Sequence, residues 1–217
     1  MARGAASKPT PRRGGRPTLA EAAQLDADIR EAALTLFLEG GYEGTSMDDI
    51  ARAAGTTKAS LYKRFASKDD VFTSVLAWAM QRPDWPIAEV DPPDIDDLVG
   101  ALRHIARSSL RRALHPSMVQ LSRVATTQGA RVPEIGLQAY AANTIRRHRL
   151  IVEVLRHHAA KGTIVAADPD TLAEHFMAMV SGMPARLAGF GIQRDAATNE
   201  RNLEAAVQLF LRSLRPD

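Results

Sequence analysis

The stretch that decides the fold is residues 46–62, SMDDIARAAGTTKASLY. A hydroxyl residue followed three residues later by aspartate is a capping box, which predicts a short helix over residues 47–54. Gly55 permits the left-handed backbone of a tight turn. Thr57 is the expected N-cap of a second short helix over residues 58–64. Small and apolar residues lie where the two helices should touch, so the pattern predicts a helix-turn-helix.

The second of these helices carries short polar side chains, an alanine and basic side chains. A helix that enters the DNA major groove needs small residues near its N-terminus and side chains that hydrogen-bond to base edges and phosphates. Lys58 is predicted to donate to guanine, and Ala59 to contact a thymine methyl group. Ser60 is predicted to bond a base or a phosphate, and Tyr62 a phosphate. From spacing alone, a helical hairpin that merely packs against the core remains the alternative.

Proline divides the chain into two helical blocks. Residues 18–82 contain no proline, whereas four prolines fall within residues 83–93. Proline resists helix interiors, so residues 83–93 are interpreted as a linker or a broken corner. Alanine, leucine, arginine and glutamate are plentiful, and no alternating strand pattern is bounded by turn residues. The fold class is therefore predicted to be all-α, with a C-terminal domain over residues 94–217.

Helical periodicity, caps and glycine stops predict the bounds of the individual helices. In the first block, helices are expected over residues 19–39 and from Lys68 onward, on either side of the two short helices. Pro184 falls inside a predicted helix of the second block and predicts a kink or break there. The helices expected in the second block cover residues 94–114, 117–130, 133–161, 168–189 and 195–214.

Positive charge is concentrated at the N-terminus. The net charge of the whole chain is only +3, yet residues 1–17 hold five basic residues and no acidic one. We interpret residues 1–17 as a flexible basic arm on a near-neutral body. Such arms can enter the DNA minor groove, which makes Arg12, Arg13 and Arg16 candidate contacts. A solubilising tail is the alternative.

Several function classes lack support in the sequence. The chain has no cysteine, which excludes a disulfide framework, a thiolate zinc site and a cysteine nucleophile. No apolar signal segment or membrane span is visible, so a cytoplasmic protein without a membrane partner is expected. His157 and His158 are adjacent and point about 100° apart on a helix, which does not make a metal pair. No catalytic triad or phosphate-binding loop is present, so we predict no enzyme activity, no metal and no cofactor.

A longer set of motifs resembles a known family. Residues 41–51 read GYEGTSMDDIA, followed by Gly55, by KASLYKRF at residues 58–65 and by serine and lysine at residues 67–68. At these spacings the motifs resemble the N-terminal domain of TetR/AcrR-type transcriptional regulators. The resemblance covers residues 18–82 and implies a three-helix DNA-binding domain.

The resemblance also implies roles for individual residues. The helix that begins near Thr57 is expected to enter the major groove, and Thr45, Ser46 and Lys68 match positions that contact the DNA backbone. Ala59 stands where glycine is frequent in the family. Lys63 and Arg64 stand where aromatic residues or histidines are frequent. Additional basic side chains steepen the salt dependence of DNA binding. The candidate DNA-binding residues are Arg12, Arg13, Arg16, Thr45, Ser46, Thr57, Lys58, Ala59, Ser60, Tyr62, Lys63 and Lys68.

The C-terminal block resembles the family more weakly. The resemblance implies dimerisation through the last two helices and binding of a small molecule. Apolar residues of the last helix supply either a dimer seam or packing within the subunit, and the sequence leaves both open. These residues are Leu203, Val207, Phe210, Leu211 and Leu214. Candidate pocket residues, for which core packing is the alternative, are Trp85, His104, Leu121, Tyr140 and Phe176.

The sequence thus predicts a homodimeric, all-α transcriptional regulator. In the favoured reading it is a repressor released from a palindromic double-stranded DNA operator by a small-molecule effector whose binding residues are unassigned. The alternative is an architectural or protein-partner-regulated DNA-binding factor on the same fold, without an inducer.

Overall fold

The structure is a computed structural model that describes residues 18–82, 85, 92–129 and 133–215. Within these residues the chain forms helices and loops and no β-strand, which confirms the all-α prediction. None of the described helices is long and apolar enough to cross a membrane. The helices are α1 (Leu19–Gly40), α2 (Met47–Ala53), α3 (Lys58–Tyr62), α4 (Lys68–Gln81), α5 (Leu98–Ala113), α6 (Pro116–Gly129), α7 (Pro133–Ala160), α8 (Pro169–Met177), α9 (Met183–Gly189) and α10 (Ala196–Ser213), with a π-helical turn at Ala178–Gly182.

Side-chain caps set where the N-terminal helices begin. Ser46 caps α2 in a reciprocal capping box with Asp49. Ser67 forms the same arrangement with Asp70 at the start of α4. Each box satisfies backbone N–H groups that the first helical turn leaves without partners. The observed starts of these helices therefore agree with the predicted ones, whereas α3 ends at Tyr62, two residues earlier than predicted.

Two predicted helices of the second block differ from the structure. The helix expected from residue 94 begins at Leu98, because Asp97 caps it by accepting a hydrogen bond from the Gly100 backbone at 2.9 Å. The helix expected over residues 168–189 is interrupted by the π-helical turn, and α9 restarts with Pro184 in its first turn. Proline has no N–H to donate, and the predicted kink or break takes the form of this π-helical turn within a continuous helical segment.

The first hydrophobic core lies beneath α1 to α4. Its centre is an aromatic cluster in which Phe37 stacks on Tyr42 and Phe72 meets both rings edge-on. Leu61 of α3 is fully buried in the same core. The core is not confined to these helices, because Met118, Leu121 and Ala125 of α6 are buried in it and so is Trp85. The N-terminal helices are therefore seated directly on α6.

The second hydrophobic core is formed by α5, α7, α8, the π-helical turn and α10. Four residues of the predicted apolar seam on the last helix are buried in it, and Leu211 packs against it partly exposed. For these residues, packing within the subunit is the reading that the structure supports. The four buried residues are Leu203, Val207, Phe210 and Leu214.

The candidate pocket residues belong mostly to the cores. Trp85 and Leu121 are buried in the first core, and Phe176 is buried in the second. His104 of α5 is half-buried. The side chain of Tyr140 lies outside the described residues. Core packing, which was the alternative for these residues, therefore accounts for Trp85, Leu121 and Phe176.

Candidate DNA-binding site

A tight turn joins α2 to α3. Gly55 lies in this turn with a φ of 63°, a left-handed conformation that residues with a Cβ rarely adopt. The turn lets Leu61 of α3 pack into the core, where Ile50 and Ala51 of α2 are also buried. Because the inward side of α3 is fixed by Leu61, its remaining side chains face away from the core. The predicted helix-turn-helix is therefore present, with α3 as its second helix.

The outward face of α3 carries the residues predicted to read DNA. Thr57 caps the helix by accepting a hydrogen bond from the Ser60 backbone at 3.1 Å. Lys58, Ala59 and Lys63 are exposed, and Tyr62 is 44% exposed. The face thus offers two ammonium groups, a phenol hydroxyl and a small methyl group within about one and a half helical turns.

Lys58 is held by an acidic residue of α2. Its Nζ atom lies 2.8 Å from Asp48 Oδ1 and donates to Oδ2 at 3.1 Å. The hydrogen bond to Asp48 raises the pKa of Lys58 above its ordinary value. Nζ also lies 5.9 Å from the centre of the Tyr62 ring. The Lys58 ammonium group therefore pairs with Asp48 at the protein surface, where both side chains are more than half exposed.

Arg64 ties α3 to α1. Its Nε donates to Asp26 Oδ1 at 2.6 Å, and its Nη1 donates to the Ser60 hydroxyl at 3.3 Å. The Arg64 side chain is only 21% exposed. This contact fixes the end of α3 against the long first helix. Arg64 is therefore placed to position the outward face of α3 (the reading face), which carries Lys58, Ala59, Tyr62 and Lys63.

Thr45 was predicted to contact the DNA backbone, but its side chain is buried. Its Oγ1 donates within the protein, to the carbonyl oxygens of Leu36 at 3.1 Å and of Gly41 at 2.8 Å. The hydroxyl is consumed by the turn between α1 and α2, and burial removes it from the surface. In this conformation Thr45 shapes the turn and offers no side-chain contact to a phosphate.

Lys68 is also engaged within the protein. Its Nζ donates to the carbonyl oxygens of Tyr42 at 2.8 Å and of Thr45 at 3.0 Å, and lies 4.2 Å from the centre of the Tyr42 ring. An ammonium group has three hydrogens, so one is left for a phosphate. Lys68 therefore joins α4 to the turn before α2 in addition to its predicted role.

Ser46 is exposed at the start of α2, where its hydroxyl takes part in the capping box with Asp49. The hydrogen bond from Ser46 lowers the pKa of Asp49, which is also paired with Arg52 at 2.9 Å. Asp49 thus stays ionised beside the positive end of the helix dipole. The predicted arm contacts Arg12, Arg13 and Arg16 lie outside the described residues.

Comparison with known proteins identifies the family. The model of the N-terminal domain of bacterial regulatory proteins of the tetR family matches residues 29–75. The model of the C-terminal domain of AefR-like transcriptional repressors matches residues 100–215, more than half of the chain. The chain belongs to the TetR family of transcriptional regulators. It is also 30% identical to the HTH-type transcriptional regulator SrpR of Pseudomonas putida over 172 residues, which is 77% of each chain.

Two solved structures of regulators share the fold over most of this chain. The flavonoid-responsive regulator FrrA is 29% identical, with a TM-score of 0.72 over 89% of this chain and 98% of that one. A TetR-family regulator of Mesorhizobium loti is 26% identical, with a TM-score of 0.71 over 90% of this chain and 98% of that one. These matches confirm the predicted N-terminal helix-turn-helix and C-terminal helical domain. The family consists of DNA-binding transcriptional regulators, not enzymes.

One structural link of this TetR-family regulator was missed from the sequence. Arg123 projects from α6 to the end of α9, where its Nε donates to the Gly189 carbonyl at 2.8 Å and its Nη2 to the Ala188 carbonyl at 3.0 Å. Basic side chains near the C-terminus of a helix can donate hydrogen bonds to its last carbonyls. The same helix carries Leu121 and Ala125 in the first core. No local sequence signal indicates a contact between residues 65 positions apart.

Proposed function

We propose that this protein is a homodimeric repressor that a small-molecule effector releases from a palindromic DNA operator. The observation that carries the proposal is the exposed face of α3. Its basic side chains and short polar groups point outward, while Arg64 and Leu61 anchor the helix to the rest of the domain. A second helix of a helix-turn-helix presented in this way fits the major groove.

The proposed contacts divide into base readers and phosphate contacts. Lys58, Ala59 and Ser60 lie near the N-terminus of α3, the part of a recognition helix that reaches base edges. Tyr62 and Lys63, farther along, suit the phosphates that flank the groove. Thr45 drops out of the set because its hydroxyl is buried. The remaining proposed phosphate and minor-groove contacts are Ser46, Thr57, Lys68, Arg12, Arg13 and Arg16.

The dimer is proposed from the operator geometry and from an apolar surface. Two half-sites of a palindrome lie about 34 Å apart on one face of DNA and require two α3 helices related by a two-fold axis. Leu172 and Met179 line a shallow surface depression beside Leu209 of α10, which is 54% exposed. This surface of α8 and α10 is where we place the second subunit.

Release by an effector is proposed from the position of α6. One side of α6 is buried in the core under the DNA-binding helices, through Leu121 and Ala125, while Arg123 holds the end of α9. A ligand that shifts α9 would therefore shift the platform on which α3 sits. A coupling free energy of about 1–3 kcal/mol changes operator affinity roughly 5–150-fold. FrrA, by its name responsive to flavonoids, supports a small organic effector.

A selection experiment tests the proposal. Purified protein is mixed with a random duplex library, and the bound pool is sequenced. We expect an inverted repeat with half-sites about one helical turn apart. Lys58→Gln should then lose most of the affinity for that sequence, whereas Arg201→Gln, which removes the same charge from α10, should not.

A bound pool without a shared sequence would overturn the repressor proposal. It would favour the alternative of an architectural factor that binds the DNA backbone. A recovered operator whose affinity no small molecule changes would instead leave a constitutive or partner-regulated DNA-binding protein.

A further inference from the structure

A cavity lies at the end of the C-terminal domain where four elements meet. It is bounded by the end of α5, the start of α6, α9 and the loop between α9 and α10, and it encloses about 200 Å³. Its described wall is partly apolar and partly polar, and the apolar lining residues include Leu114, Pro184, Leu187 and Ile192. An engineered apolar cavity of about 150 Å³ accepts benzene, so this one has room for a substituted single ring.

Three polar residues, Gln193, Arg194 and Asn199, line the cavity and give it a chemical preference. Arg194 is the charged residue among its described lining residues, and Asn199 lines it as well. The Nδ2 atom of Asn199 donates to the Arg194 carbonyl at 3.3 Å, which fixes the orientation of the amide. Its Oδ1 atom receives no hydrogen bond from the described residues but has almost no accessible surface, so a ligand in the cavity does not reach it. The charge of Arg194 therefore sets the preference of the cavity, which is for an anion.

We propose that this cavity is the effector site and that it binds a small carboxylic acid with one ring. The carboxylate pairs with the guanidinium of Arg194, and the ring fills the space beside Leu187 and Ile192. Guanidinium groups favour carboxylates because their N–H donors match the two oxygens. The assignment rests on the proposed function, since it names the effector class of the regulator.

The cavity is connected to the DNA-binding helices by direct contacts. Ala188 lines the cavity, and its carbonyl accepts a hydrogen bond from Arg123 of α6. A ligand that displaces the end of α9 therefore changes the contact that holds α6. Because Leu121 of α6 is buried in the core under α1 to α4, the displacement reaches the helices that carry the reading face.

The test uses 4-hydroxybenzoate as the probe and the full-length protein without DNA. Isothermal titration calorimetry should show one site per chain. Arg194→Gln should weaken binding about tenfold, because it removes a charge-assisted hydrogen bond. Arg201→Gln is the matched control, since it removes an exposed arginine of α10 that does not line the cavity. Replacing the probe by the neutral 4-hydroxybenzamide should weaken binding to the wild-type protein similarly.

Leu187→Trp provides a second variant that fills the cavity without changing its charge. It should abolish binding while thermal melting shows a folded protein. No heat of binding with millimolar probe would overturn the assignment, and so would binding that neither Arg194→Gln nor Leu187→Trp affects. Operator affinity is measured separately on the ligand-free protein. If the probe binds in the cavity yet leaves the operator occupied, the assignment of this cavity as the effector site is wrong, whereas the proposed function stands.

Discussion

The ammonium group of Lys58 on α3 lies 2.8 Å from a carboxylate oxygen of Asp48 on α2. An acidic residue in the first turn of α2 therefore holds a basic side chain on the exposed face of α3. To contact a guanine, Lys58 must exchange this partner for the base edge. On DNA without the matching base, a phosphate has to compete with the Asp48 carboxylate for the Lys58 ammonium group. We therefore expect Asp48 to act as an internal competitor that disfavours non-specific contacts more than specific ones.

This relationship predicts that Asp48→Asn raises the affinity for a non-specific duplex severalfold. The ratio of operator affinity to non-specific affinity should therefore fall. The measurement is fluorescence anisotropy with both duplexes at two salt concentrations. Asp28→Asn is the control, because it removes an equal charge from an exposed site on α1. Equal effects of the two variants would mean that only net charge matters, and the competitor role would be wrong.

The contact between Arg64 and Asp26 predicts a loss of operator binding that charge alone does not explain. Asp26→Asn removes a negative charge from a DNA-binding domain, which by electrostatics should strengthen binding. We expect the opposite, because Arg64 would no longer hold the end of α3 against α1. Combining Asp26→Asn with Arg64→Gln should weaken binding little beyond Arg64→Gln alone, since both changes break one contact. Fully additive losses in this double-mutant cycle would show that the two residues act separately.

The turn between α2 and α3 predicts a specific glycine requirement. Gly55→Ala should lower the free energy of unfolding by about 1–2 kcal/mol, because an L side chain is strained at this positive φ. No atom lies within 4 Å of the added Cβ, so crowding does not contribute. Gly189→Ala is the matched control, because its Cβ also meets open space and its φ is not positive. Urea unfolding compares the two, and equal destabilisation would contradict the prediction.

The carboxyl group of Asp96 predicts a pH dependence of stability. Hydrogen bonds from Lys161 and His157 lower its pKa from 3.8 to about 2. Because the folded protein has the lower pKa, the stabilisation is fully present above pH 3.8 and is lost as pH falls toward 2. Asp96→Asn should lower the melting temperature at pH 5 and make it less sensitive to acid between pH 4 and pH 3. A variant that loses melting temperature as steeply as the wild type over that interval would rule out this contribution.

Local signals predicted the helices well, whereas contacts between distant segments escaped them. Ser46 and Ser67 mark helix starts through partners three residues away, so a short window contains the whole signal. The pairing of Arg64 with Asp26 spans 38 residues and depends on how α1 packs against α3. For the same reason, sequence matching assigned Thr45 to the DNA backbone. Only the fold shows that its hydroxyl is already used by the turn.

The presence of α6 in the first core also sets the limits of a transplantable DNA-reading module. Residues 18–82 look like a separable unit along the chain, but their apolar underside is closed by Met118, Leu121 and Ala125. A hybrid regulator that exchanges only residues 18–82 would place the apolar underside of these helices on an α6 from another protein, whose side chains do not match it. The unit to exchange is discontinuous and includes the inward-facing positions of α6. DNA specificity and the proposed effector response therefore depend on the same packing surface between α6 and the N-terminal helices. An engineered hybrid regulator needs matching residues on both sides of that surface.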